Sequence, residues 1–153
     1  MRRLIVAVLL SAFVLSLHAP LFAHCEIPCG IYGDDMRFAA ITEDLTTIEK
    51  SMKMIVALSA DSQTNMNQLV RWVKNKESHA DRIREVVAQY FLAQRIKAPS
   101  TEDQAAYGDY TQKLVLLHQM IVTAMKCKQT TDLTHVKKLH DLLHKFQRLY
   151  EKK

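Results

Sequence analysis

Residues 132–150 read DLTHVKKLHDLLHKFQRLY, and the apolar positions in this stretch decide the class of fold. Leu133, Val136, Leu139, Leu143, Phe146 and Tyr150 recur at steps of three and four residues. That is the repeat of one face of an α-helix, not the alternation of a strand. The pattern predicts a helix from about Asp132 to the end of the chain. Working toward the N-terminus, Tyr107, Tyr110, Leu114, Leu117, Ile121 and Ala124 repeat the same spacing. Ser100 or Thr101 is the expected cap of this helix, because a side-chain oxygen there can accept from the first free amides. Glu102 and Asp103 suit the positive end of its dipole. Before it, Ala98-Pro99 closes another helical stretch, since proline pushes the preceding residue out of the helical region. Leu69, Val73, Ile83, Val86, Tyr90 and Phe91 lean to one side of that stretch, with Trp72 beside them, and a break is expected near Lys74–Ser78. Asp61 to Asn67 is polar and marks a turn or a new cap. The first periodic segment starts at Asp34 or Asp35, a plausible N-cap, and carries Ile41, Leu45, Ile48, Met52 and Ile55.

Four amphipathic helices with short connections and no strand signal predict an all-α fold, an antiparallel four-helix bundle. The bundle is expected to occupy residues 34–153, which is enough chain to bury a core of its own. Such a fold says little about function by itself.

The first 23 residues read differently. Met1-Arg2-Arg3 is a basic start, Leu4 to Leu17 is apolar apart from Ser11 and Ser16, and the stretch ends at Ala23. This order resembles a secretory leader, and the apolar run is short for a membrane span. Residues 1–23 are therefore expected to be cleaved, leaving no stable membrane anchor. Removal takes two arginines and no acid, so the formal charge of +5 falls to +3. A charge of that size, without a dense basic stripe, does not call for nucleic acid. It favours mild attraction of small anions. Three cysteines, Cys25, Cys29 and Cys127, are too few for a disulfide scaffold.

Residues 24–32 read HCEIPCGIY and begin at the expected cut. Cleavage there gives His24 a free α-amine beside its imidazole. Cys25 offers a thiolate and its backbone nitrogen, and Cys29 a second thiolate. Amine, amide and two thiolates form a planar set suited to Ni(II) or Cu(II). The imidazole is available as an axial ligand. Zinc on the same donors would be redox-inert. Pro28 fixes the backbone and Gly30 relaxes it, so residues 24–33 can form a metal-binding hook.

This segment resembles the nickel hook of nickel-containing superoxide dismutases, H-C-x-x-P-C-G-x-Y, at His24, Cys25, Pro28, Cys29, Gly30 and Tyr32. The resemblance implies one nickel ion per subunit, held by His24, Cys25 and Cys29. It implies dismutation of superoxide to oxygen and hydrogen peroxide, with the metal cycling between Ni(II) and Ni(III). Tyr32 would stand beside the open face, ordering water and admitting substrate. The family's bundles assemble as a homohexamer, and a processing peptidase exposes the N-terminus. Several members work in the cytoplasm after losing a pro-leader, whereas the leader here reads as an export signal to the periplasm or exterior. The family also steadies its histidine through an acid on the first helix and a base on the second. Glu43 or Asp44, and Lys74 or Lys76, are the candidates here.

Two other classes fit the same residues. An exported bundle could bind or deliver metal on the hook without turnover, or a Cys25–Cys29 disulfide could leave a purely structural bundle. Cys127 reads as a buried thiol. His140 and His144, four apart on one helix, read as surface or interface residues. Met52, Met54, Met120 and Met125 read as packing. Tyr90-Phe91 and the Tyr107/Tyr110 pair read as core or interface.

Overall fold

A computed structural model describes residues 33–151. The leader and His24, Cys25, Cys29 and Tyr32 lie outside the described residues. Four helices follow one another: α1 (Asp34–Ser59), α2 (Ser62–Glu85), α3 (Gln104–Gln129) and α4 (Leu133–Glu151). A π-helical segment, Val86–Arg95, continues α2 without interruption. No strand occurs among the described residues. Each helix packs on its two neighbours, α1 on α2 and α4, and α3 on α2 and α4. Short connections between sequential neighbours make this the antiparallel four-helix bundle that the periodicity predicts. No described helix is long and apolar enough to cross a membrane.

The core follows the stripes. From α1 come Phe38, Ile41, Leu45, Ile48 and Met52, at alternating steps of three and four, and all are buried. Leu117, Met120, Ala124 and Cys127 enter from α3, and Val136, Leu139, Leu142, Leu143 and Phe146 from α4. Phe38, Phe91, Phe146 and Tyr150 form an aromatic cluster with ring centroids 5.0–5.8 Å apart. Pairs in that range add to the area they bury.

The helix starts differ from the sequence expectation in instructive ways. Gly33, not an aspartate, is the N-cap of α1, and no side chain caps it. Asp34 sits one position later and spends its carboxylate elsewhere. At α3 the cap is Asp103, whose Oδ1 accepts from the Ala106 amide at 3.0 Å. Ser100 instead accepts from the Glu102 amide in the preceding turn, at 3.3 Å. An ionised carboxylate caps more strongly than a hydroxyl at the positive end of the helix. Asp61 caps α2, accepting from the Thr64 amide at 3.4 Å.

The break expected at Lys74–Ser78 is absent, and α2 runs straight through it. Lys76 explains the continuity. Its side chain is buried, and its ammonium donates to the carbonyls of Cys127 (2.9 Å), Lys128 and Thr130 (3.5 Å), the last acceptors of α3. Glu77 lies 3.0 Å from the same nitrogen. The polar stretch read as a break is thus the point where α2 closes the C-terminus of α3.

Candidate metal centre and its attachment to the bundle

The nine residues of the hook reach the described fold at Gly33, so the attachment is built from the first turn of α1 and whatever packs on it. Asp34 is the centre of this region. Its Oδ1 accepts from the Tyr90 hydroxyl at 2.6 Å and from Arg95 Nε at 2.7 Å, while its Oδ2 accepts from the Tyr150 hydroxyl at 2.9 Å. Three donors from the π-helical segment and from α4 therefore hold the residue that follows Gly33. Partial burial pushes the Asp34 carboxyl up, but the hydrogen bonds from Tyr90, Arg95 and Tyr150 outweigh it and leave its pKa below the ordinary carboxylate value. Burial, reinforced by the Asp34 charge, pushes the Tyr150 phenol up to about 12 and raises Tyr90 as well. Both phenols keep their protons at neutral pH and remain donors. The guanidinium groups of Arg37 and Arg95 lie 4.9 Å and 5.4 Å from the Tyr90 ring centroid. Cations in that range are attracted to the ring face.

The π-helical segment is what makes this clamp possible. Its hydrogen bonds span five residues, as in the bond from the Ile96 amide to the Phe91 carbonyl at 2.9 Å. Tyr90 and Arg95 are five apart, so an α-helix would rotate them by about 140° from one another. The wider turn brings both to Asp34. Helical periodicity at 3.6 residues cannot foresee this, and the sequence reading missed Asp34, Arg95 and Tyr150 as a unit. The only hint is a Tyr-x4-Arg spacing just before a helix end.

Beside the clamp is an open cleft of about 330 Å³, lined in part by Arg95, Lys97, Tyr110, Lys113 and Tyr150. Lys113 pairs with Asp109 at 2.5 Å and Arg95 with Asp34 at 2.7 Å, so the net positive charge of the lining rests on Lys97. Clefts of one sign concentrate small ions of the other. Arg95 and Tyr150 belong to both the cleft and the clamp, so the cleft lies at the end of the bundle where the hook is attached.

Two of the four residues considered as steadying partners for the imidazole, Asp44 and Lys76, are engaged within the bundle. Asp44 is buried and bonds His79 Nδ1 at 2.6 Å and Arg82, both on α2. Lys76 is committed to the end of α3, which corrects its candidacy as the basic partner. Glu43 and Lys74 are solvent-exposed. The Asp44–His79–Arg82 set had no signal in the sequence beyond single polar residues at scattered positions.

Tyr107 on α3 and Leu133 on α4 are exposed, so both stripes leave the core near the helix starts. Cys127 is fully buried, and burial raises its thiol to about 11, so it is an inert packing residue. Met52 and Met120 are in the core. The rings of His140 and His144 stack with centroids 6.4 Å apart, and among the described residues no three His, Cys, Asp or Glu side chains are grouped to hold a metal ion. By its chemistry, the donor set that the hook sequence offers, two soft thiolates with nitrogen ligands, fits nickel.

A family model described as nickel-containing superoxide dismutase matches residues 19–153, spanning the hook and all four helices. No curated protein and no solved structure matches the chain.

Proposed function

The chain belongs to the nickel-containing superoxide dismutase family, and from that premise we propose that His24, Cys25 and Cys29 hold its nickel once the chain has been cut before His24. The protein is an oxidoreductase whose substrate is superoxide and whose metal is nickel. Bound nickel supplies one-electron chemistry between Ni(II) and Ni(III), a couple that thiolate and amide donors bring within reach of superoxide. Two superoxide ions and two protons are thereby converted to one oxygen and one hydrogen peroxide.

The remaining roles belong to the chain. The α-amine and imidazole of His24 exist together only after cleavage, which makes processing the activating event. Tyr32 sits three residues past Cys29 and is suited to ordering water and limiting access beside the metal. Asp34 fixes the root of the segment, and the positive cleft at the same end favours arrival of an anion. One nickel per subunit, a homohexameric assembly and a processing peptidase complete the reading. The basic and apolar leader supports export to the periplasm or exterior, with a cytoplasmic pro-leader as the other route.

The observation that carries the proposal is the hook sequence placed two residues before a triply clamped aspartate. The test is superoxide dismutase activity and metal content on protein beginning at His24, beside the uncut chain. Activity proportional to bound nickel, absent from the uncut form, supports the whole reading. Stoichiometric metal without turnover would make the protein a carrier. Absence of metal with an oxidised Cys25–Cys29 pair would make it a structural bundle.

A further inference from the structure

The α1–α2 hairpin is longer than the bundle it belongs to. Lys76 marks the level at which α3 ends, and Asn75 Nδ2 donates to Ser51 Oγ at 3.0 Å across the hairpin at that same level. Beyond it, no residue of α2 from 62 to 75 is buried, and no residue of α1 after Met52. About 20 Å of α2 therefore projects past the turn between α3 and α4.

The overhang begins polar, at Asp61–Asn67, yet it carries an apolar line along one side. Met66, Val73 and Ala80 lie seven residues apart on one side of α2, and so do Leu69, Lys76 and Ile83. Seven-residue spacing is the repeat of a helix-packing seam. Ala80 and Ile83 are fully buried against the bundle, whereas Met66 is 57 % exposed, Val73 41 % and the adjoining Val70 59 %. The seam thus continues in sequence after its covering helix has ended. On α1, Val56 is 59 % exposed in the same region. Among the described residues, only α1 and α2 reach this level of the bundle.

We propose that this overhang is a self-association surface, docking antiparallel on the same surface of a second copy of the chain. The sequence of the arm is self-complementary in that arrangement. A two-fold axis passing between Leu69 and Val70 sets Met66 opposite Val73 of the second copy, and Leu69 opposite its Val70. Each exposed apolar residue of the seam then meets another. Arg71 and Lys74 meet Gln68 and Asn65, so no basic residue faces a like charge. A closed two-fold contact requires such a match of one patch with itself. Two hairpins joined this way restore a four-helix arrangement along the projecting segment. The proposal deepens the homo-oligomer reading above and rests on it, and it assigns that assembly a specific contact.

The test is the solution mass, by light scattering after size exclusion, of the purified protein and of a Val70→Glu/Val73→Glu variant. Both positions are largely exposed within one copy, so far-UV circular dichroism is expected to be unchanged. The expected result is an oligomeric parent whose mass falls at least twofold in the variant. A milder pair, Val70→Thr/Val73→Thr, keeps β-branched shape without charge, and is expected to shift the mass at low concentration only. An oligomeric parent whose mass neither variant alters overturns the assigned surface while leaving the oligomer reading intact. A monomeric parent overturns both. A monomeric parent that floats with vesicles of equal phosphatidylcholine and phosphatidylglycerol, where the glutamate variant does not, overturns the proposal in favour of a lipid surface.

Discussion

Replacing Asp34 by asparagine isolates the clamp at the root of the hook. The side chain keeps its shape and one acceptor, but loses its charge and turns an amide toward donors. In the native protein Asp34 accepts from Tyr90, Arg95 and Tyr150 at 2.6–2.9 Å. A hydrogen bond involving a charged partner contributes about 1.5–3 kcal/mol. The Asp34 and Arg95 side chains are 27 % and 32 % exposed, so solvent screens part of that gain. A net loss of about 2 kcal/mol is the reasonable expectation at pH 7. For a domain of this size it lowers the melting temperature by about 8 °C. The pH dependence gives a second handle. The folded pKa of Asp34 lies below the unfolded value of 3.8, so its contribution is present above that value and is lost as pH falls through the folded pKa. The gap between Asp34→Asn and the parent should therefore be full at pH 7 and close in acid. Melting curves by circular dichroism across pH 2–7 measure it. Equal melting temperatures at pH 7, or a gap that persists undiminished to the lowest pH, would refute the clamp.

Changing Cys25 or Cys29 to serine is expected to abolish nickel binding and activity while the helical spectrum stays unchanged, because both sulfurs precede α1. Nickel-dependent dismutation retained in either variant would remove that cysteine from the ligand set. One extra residue before His24 should reduce activity to background, since it displaces the α-amine; full activity would show that the amine is not a ligand. Lys76→Met leaves the last carbonyls of α3 without their ammonium donor and should cost about 2 kcal/mol in urea denaturation. An unchanged midpoint would mean that water caps α3 equally well.

The sequence by itself determined the helices and pointed to the family. The stripes Ile41–Leu45–Ile48–Met52 and Val136–Leu139–Leu143–Phe146 are local repeats, and hydrophobic burial leaves such a helix only one face to turn inward. The hook is equally local, since its donors are neighbours in the chain and their chemistry does not depend on the fold. What only the tertiary structure decided depends on contacts between distant residues. Asp34 could be an N-cap or an acceptor, and only the approach of Tyr90, Arg95 and Tyr150, 56 to 116 residues away, chose between them. Lys76 looked like part of a polar break until the end of α3 proved to lie against it. The π-helical turn and the exposed half of the α2 seam have the same origin. A helix's own period cannot say where its partners begin and end, and burial is decided by those partners.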